Sequence, residues 1–397
     1  MKLTPEEQDM LDGKYGKATQ KSMEILTTLG EIFEAEDMID VVGVQIAGVS
    51  YDNLGEAGLE FLSEMAEDGK IRVLTTLNPA GMDRENWQAL GIDEEFAKNQ
   101  NRALDAFAKM GIITTCSCTP YLIGNTPHYG QHLAWAESSA VCYANSVIGA
   151  RTNREGGPSA LASALTGKTP RYGYHVDKNR QGEIFIKVNA PVKGTNEFGV
   201  LGKIIGDKLV ELGKKIPYIT GISSASIEEL KSFCASVATY GGAALFHIER
   251  ITPEFNKYPK PSDIIFEINQ NDLNKAQSEL IDNDLEIDFV SIGCPHASIY
   301  EIATIAKLLK GKKVKKEFWI TTARPTKRIA DEAGYSKIIE NAGAKFAADT
   351  CCVVAPIKGR FKGIMVDSAK ACYYGRAKNK FKVKIGTIED CIEEAIK

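Results

Sequence analysis

The sequence lacks every mark of a chain that crosses or enters a membrane. No uninterrupted apolar stretch approaches the ~20 residues needed to span a bilayer. The opening segment, MKLTPEEQDMLDGKYG, is acidic and polar and has no apolar core, so it does not read as a secretory signal. A surplus of basic charge is also missing. Forty-eight Lys and Arg face 52 Asp and Glu, for a net charge of -4 and a pI near 5.9. That balance argues against a general nucleic-acid or anionic-membrane partner. There is no internal repeat and no low-complexity segment, and the only proline-rich linker is PEFNKYPKP at 253–261. Nine cysteines are present, an odd number. A disulfide framework belongs to small secreted chains, and the two-residue spacing typical of zinc hooks is absent. A cytoplasmic protein is expected.

What is present is ordinary globular material. The chain has 397 residues, 44% hydrophobic and 25% charged, enough for two or three compact units. Apolar, β-branched runs alternate with amphipathic stretches that stop at glycine. The runs at 40–50 and 70–81 predict strands, and 55–69 and 94–111 predict helices. IITTCSCTP (112–120) reads as a third strand. Such βαβ alternation predicts an α/β protein with mostly parallel sheets. The stretch 132–150 is apolar around most of its circumference and predicts one buried central helix. Residues 172–189 predict a hairpin about a polar DKNRQG turn. Alternation then resumes: helices at 197–213, 226–242 and 272–282, and strands at 216–222, 244–250, 263–269 and 287–296. Further units follow at 317–326, 345–356 and 362–374, before a last helix.

In a reducing compartment a cysteine is a small buried residue, a ligand or a nucleophile. Cys142, Cys234, Cys372 and Cys391 sit in helical patterns and read as buried core. Cys118, Cys294 and Cys351 each stand where a strand gives way to a loop, the place where open parallel sheets bind ligands. Three separated thiolates suit an iron–sulfur cluster that keeps one iron open. A zinc site with His296 as fourth ligand, or three plain buried thiols, are the alternatives. Cys351 and Cys352 face opposite sides of a strand, so only one can point at a given metal. Cys116 and Cys118 would share a face, and pattern alone does not separate them.

The segments CTPYLIGNTP, ESSAVCYANSVIGARTNREGGPSAL, SIGCPHAS and ADTCCVVAPI together resemble the aconitase X family, most closely its archaeal branch. The resemblance runs over nearly the whole chain. It implies an aconitase-like body of α/β/α domains, one catalytic body over 1–397 with two or three subdomains and a rough break near 195–215. It implies a [4Fe–4S] cluster held by Cys118, Cys294 and Cys351, with Cys116 and Cys352 as neighbours. The implied activity is that of a hydro-lyase removing water from (R)-5-phosphomevalonate to give trans-anhydromevalonate 5-phosphate, in a modified mevalonate route to isoprenoids. The implied partner is a small subunit carrying the family's swivelling domain and the catalytic base. No nucleic acid or membrane partner is implied.

Resemblance and strand-end position together point to Gly48, Val49, Ser50, Asn78 and Pro79 as substrate-binding residues. Glycine beside an anion lets backbone N–H groups approach closely, although GVS also reads as a tight βα turn. Glu137, Ser138 and Lys370 join the substrate set. A glutamate on a buried helix needs a partner, so a structural ion pair competes with a site role. Asn145, Arg151, Arg154 and Arg324 form a second tier, since arginines beside a glycine pair make a plausible anion site. His128 and His296 read as hydrogen-bonded structural residues. Two other functions remain open at this stage: a hydroxyproline-type dehydratase of the same family, and a non-enzymatic iron-sensing or RNA-binding cluster protein.

Overall fold

The computed structural model describes residues 1–262 and 265–397. In the first part of the chain, β1 (Met38–Asp40) pairs with β5 (Lys168–Pro170), the one antiparallel pairing among the described strands. Between them lie β2 (Gly43–Ile46), β3 (Leu74–Leu77) and β4 (Ala134–Trp135). These three form a parallel sheet in the order β3-β2-β4. Every residue of β2 is buried, as expected of a central strand covered on both faces. Leu59, Leu62, Leu104, Phe107, Leu161 and Leu165 belong to the core that packs on this sheet. They come from helices Tyr51–Met65, Glu94–Lys109 and Gly157–Thr166.

The middle of the chain forms a second parallel sheet from β6 (Ile184–Val188), β7 (Pro217–Thr220), β8 (His247–Ile248) and β9 (Ile265–Ile268), in the order β8-β7-β6-β9. Helices Gly194–Leu212 and Ile227–Gly241 pack backbone to backbone here. A Cβ added to Gly206 would lie 2.7 Å from the Gly241 nitrogen, so only glycine allows this approach.

The last part holds β10 (Phe289–Ile292), β11 (Glu317–Thr322), β12 (Lys345–Ala348), β13 (Gly363–Val366) and β14 (Lys382–Ile385). Their order is β12-β11-β10-β13-β14, and every pairing is parallel. The expected α/β class with mostly parallel sheets is therefore what the chain adopts. No helix among the described residues is long and apolar enough to cross a membrane.

The chain reverses direction across each of the three parallel sheets, and the reversals in the first and last bear on the site. From β2 it runs out to β3, then returns to the other side as β4. From β10 it runs out through β11 and β12, then returns as β13. Crevices at the carboxyl ends of strands open at such reversals.

Several expectations are corrected. Residues 111–119 are not a strand. Only Ile113 makes a bridge, to Thr76, and Cys116 takes a left-handed φ of 46° that no strand allows. The stretch 132–150 is buried but not one helix. It is β4, then Ser138–Tyr143, then a wider turn at Ala144–Ile148. The hairpin at 172–189 is absent. Two short turns at Gly173–His175 and Asp177–Asn179 precede β6, which pairs in parallel with β7 and β9. Residues 195–215, the expected break, fall almost wholly within the continuous helix Gly194–Leu212. Of the strand expected at 263–269, residues 263–264 lie outside the described residues and 265–268 form β9.

Candidate functional site

A cavity of about 370 Å³ opens where the two reversals face each other. From the first sheet come Ala47 and Gly48 after β2, Asn78 and Pro79 after β3, and Ala136, Glu137 and Ser138 after β4. From the last sheet come Gly293 and Cys294 after β10, Cys351, Val353 and Val354 after β12, and Lys370 after β13. Cys118 arrives from the irregular segment beside the first sheet. The thiols of Cys118, Cys294 and Cys351 thus line one cavity.

Each thiol has its own support. The His296 N–H donates to Cys118 Sγ at 3.2 Å. The N–H groups of Val353 and Val354 point hydrogen bonds at Cys351. Burial raises the pKa of all three thiols, that of Cys118 to about 12. The Lys370 ammonium works the other way on each. Buried thiols of this kind lose their protons when a metal replaces them, and backbone N–H donors with one nearby ammonium suit the resulting negative charge. The donor set therefore fits an iron–sulfur cluster held by three cysteines.

The neighbours are turned elsewhere. Cys116 is fully buried in the apolar core of the first sheet, and its neighbours are Ala80, Asp349 and Arg84. Cys352 packs into the main core and bonds Ser291. The irregular backbone at 116 and the turn at 351–352 separate each pair of thiols, which neither pattern could do. His296 is also turned away. Its Nε2–H donates to the Thr350 carbonyl at 3.0 Å, which leaves Nδ1 to accept from Ser117 Oγ at 3.3 Å. Burial lowers its pKa to about 4, so the ring is neutral and both nitrogens are occupied. It braces the Cys118 and Cys351 segments and gives no support to a zinc site with His296 as ligand.

Opposite the thiols, Lys370 Nζ donates to Glu137 Oε1 at 2.6 Å, and both side chains are buried. Glu137 also caps the helix Ser138–Tyr143. Its Oε2 accepts from Ala140 N–H at 2.7 Å and from Ser139 Oγ at 2.5 Å. Burial pushes the carboxyl up, yet Lys370, Ser139 and Ala140 outweigh it and hold its pKa below the usual range. Burial likewise pulls Lys370 down, but Glu137, Cys294 and Cys118 raise it overall. Both groups stay charged. Asn78 Oδ1 is buried and lacks a hydrogen-bond partner among the described residues, so the wall also carries one free acceptor.

Six of the eight expected substrate residues line the cavity: Gly48, Asn78, Pro79, Glu137, Ser138 and Lys370. Val49 and Ser50 do not. Val49 packs in the first core, and the Ser50 hydroxyl bonds the Val354 carbonyl at 3.4 Å, behind the wall. Of the second tier, only Arg154 reaches the cavity. Arg151 pairs with Asp177 and Glu254, and Asn145 bonds the carbonyls of Thr152 and Ala244. Arg324 bonds Asp349 and Asp83, bracing the residue two before Cys351 against the first sheet. His128 is exposed.

Sequence reasoning missed Asn53, Tyr374 and Lys378. Lys378 Nζ lies 3.0, 3.1 and 3.4 Å from the carbonyls of Val353, Val354 and Ala355, and Asn379 Nδ2 donates to the Cys352 carbonyl at 2.8 Å. Two adjacent side chains thus tie down four successive carbonyls of the Cys351 loop. The wide turn Gly375–Asn379 that aims them carries no signature of its own.

Models of the aconitase X first, second and third domains match residues 1–178, 182–278 and 287–397. A curated relative from Methanocaldococcus jannaschii, named phosphomevalonate dehydratase large subunit, is 45% identical over 99% of this chain and 100% of its own length. One of the same name from Thermococcus kodakarensis is 44% identical over the full length of both chains. A cis-3-hydroxy-L-proline dehydratase from Hypocrea jecorina is 31% identical, over all of this chain and 68% of its own length. A solved structure described as Thermococcus kodakaraensis aconitase X in its holo-form superposes with a TM-score of 0.92 at 43% identity, covering 100% of both chains.

Proposed function

The chain belongs to the aconitase X family, and we propose that it is the large, catalytic subunit of a hydro-lyase that dehydrates (R)-5-phosphomevalonate to trans-anhydromevalonate 5-phosphate. The observation that carries this reading is the convergence of three thiols and the Lys370–Glu137 pair on one cavity. The relatives named phosphomevalonate dehydratase support it at 44–45% identity over essentially their full lengths, against 31% for the hydroxyproline enzyme.

In the reaction, a proton leaves the carbon beside the carboxylate and hydroxide leaves the neighbouring tertiary carbon. Cys118, Cys294 and Cys351 would hold a [4Fe–4S] cluster, which when bound supplies a Lewis acid for the departing hydroxyl. The remaining work falls to protein groups. Lys370 places an ammonium beside the thiols, where it offsets their charge and attracts the substrate carboxylate. Glu137 fixes that ammonium in place. A carboxylate held ionised by three donors is a weak base, so Glu137 orients rather than takes the proton. Asn78 Oδ1 offers an acceptor to a substrate hydroxyl. No residue of this wall has the character of the base, which fits a base supplied by a small subunit bearing a swivelling domain. The name "large subunit" carried by the relatives supports such a partner.

The test is anaerobic reconstitution of the chain with iron, sulfide and its small subunit. The complex should convert (R)-5-phosphomevalonate and leave cis-3-hydroxy-L-proline untouched. Turnover of the hydroxyproline without the phosphomevalonate would overturn the reading.

A further inference from the structure

The cavity carries more positive charge than its reactive end uses. Its charged lining is Arg154, Lys370, Lys378 and Glu137, three cations to one carboxylate. Lys370 is compensated by Glu137. Lys378 spends its donors on the carbonyls of the Cys351 loop, and Asp52 lies 3.8 Å away. Arg154 stands apart. It is exposed, and among the described residues its side chain forms neither an ion pair nor a hydrogen bond. The other arginines of this region are committed. Arg151 pairs with Glu254 and Asp177, Arg180 with Glu254, and Arg171 with Asp37.

The backbone holds Arg154 in place. It bridges to Trp135 in β4, and the next N–H, from Glu155, donates to the Trp135 carbonyl at 3.0 Å. The guanidinium therefore rises from the strand end that also carries Glu137. Across the same wall, Gly48 has a left-handed φ of 80°, and a Cβ there would meet nothing within 4 Å. A bare glycine facing open space leaves room for a bulky tetrahedral group against the backbone. Asn53 lines the cavity as well and adds an amide.

We propose that Arg154, with Gly48 and Asn53 beside it, receives the terminal phosphate of the substrate and sets the preference for a phosphorylated hydroxy acid over the unphosphorylated one. A guanidinium matches phosphate oxygens two at a time, a geometry ammonium groups cannot copy. This assignment rests on the dehydratase reading above and adds the selectivity of the site. It places the substrate's two anionic ends on different cations, the carboxylate near Lys370 and the phosphate at Arg154.

The test compares the reconstituted wild-type complex with Arg154→Gln and Arg154→Lys. Loss of a charged hydrogen-bonding partner should raise KM for (R)-5-phosphomevalonate about 10- to 100-fold, with a much smaller change in kcat. Inorganic phosphate, used as a competitive inhibitor, should lose affinity in parallel. Any slow turnover of unphosphorylated mevalonate should be unchanged, and Arg154→Lys should recover part of the loss. Cluster absorbance and co-elution with the small subunit should match wild type. If the wild-type complex fails to act on phosphomevalonate, the dehydratase reading falls. If wild type acts and Arg154→Gln leaves KM and phosphate inhibition unchanged, the Arg154 assignment falls. It falls equally if the variant's defect is lost subunit assembly or a drop in kcat alone.

Discussion

Lys370 donates a hydrogen bond to Glu137 across 2.6 Å, and this buried pair joins the end of β13 to the end of β4. Removing one partner leaves the other charge stranded, which typically costs about 3–5 kcal/mol. Lys370→Met and Glu137→Gln should each lower the urea midpoint and abolish measurable turnover. The double variant Lys370→Met/Glu137→Leu should regain much of the stability and none of the activity. A stable, active Lys370→Met would show that the pair is not the reactive wall.

The cysteines divide cleanly by direction. After anaerobic reconstitution, Cys118→Ser, Cys294→Ser and Cys351→Ser should each lose both the visible absorbance of the cluster and all activity. Cys116→Ala and Cys352→Ala, facing the cores, should keep the absorbance at a stability cost of about 1 kcal/mol. Loss of the chromophore in Cys116→Ala without unfolding would reverse the assignment of Cys118.

Lys378 and Asn379 hold four carbonyls of the Cys351 loop. Lys378→Met should leave the fold intact, since the side chain is one-third exposed. The loosened loop should release its metal sooner, so absorbance in air should bleach several-fold faster than in wild type. An unchanged bleaching rate would reduce Lys378 to a surface brace.

Falling pH should remove the stability held by one buried histidine pair, against an opposing gain from Asp349 and Asp367, whose carboxyls burial raises to about 6 and about 7. Burial is the main cause that lowers His132 to about 4 and His175 to about 3, from 6.5. Their Nδ1 atoms face each other at 2.9 Å and share one proton, which double protonation would break. The unfolded state binds the extra protons, so this stability is complete above pH 6.5 and is lost as pH falls. The buried His175 should account for roughly 2 kcal/mol of loss by about pH 5, and the half-buried His132, screened by solvent, for less. Urea midpoints at neutral and mildly acidic pH measure this, and His175→Gln should flatten the slope.

The purified chain alone should bind its cluster and show no turnover until the small subunit is added. Full activity in its absence would place the base on this chain.

The α/β class and the strand-end positions of Cys294 and Cys351 were legible because they depend on local pattern: a buried run, then a turn. The segment around Cys118 was not. Its alternating Thr and Cys imitate a strand, while the left-handed backbone at Cys116 arises from packing that sequence does not display. β6 deceived for a related reason. Its alternating burial is shared by hairpin strands and by a parallel strand with one half-open face. Glu137 and Lys370 could each be suspected singly, but their pairing depends on how two sheets meet. Lys378 and Tyr374 carried no signal, because an exposed lysine and tyrosine near the end of a helix are ordinary surface residues until a loop is seen to rest on them.

The two sheet reversals that face each other have a mechanical consequence. Lys370–Glu137, Arg324–Asp83 and the Ala80 N–H to Asp349 carbonyl bond all cross from the beginning of the chain to its end. Cluster and substrate would occupy the same crossing. Anything that fills the cavity therefore acts as a rivet between the chain's two extremities, and its binding energy becomes resistance to their separation. Stripped of its metal, the protein should part along this line first, so early proteolytic cuts should report loss of the cofactor before the individual sheets unfold.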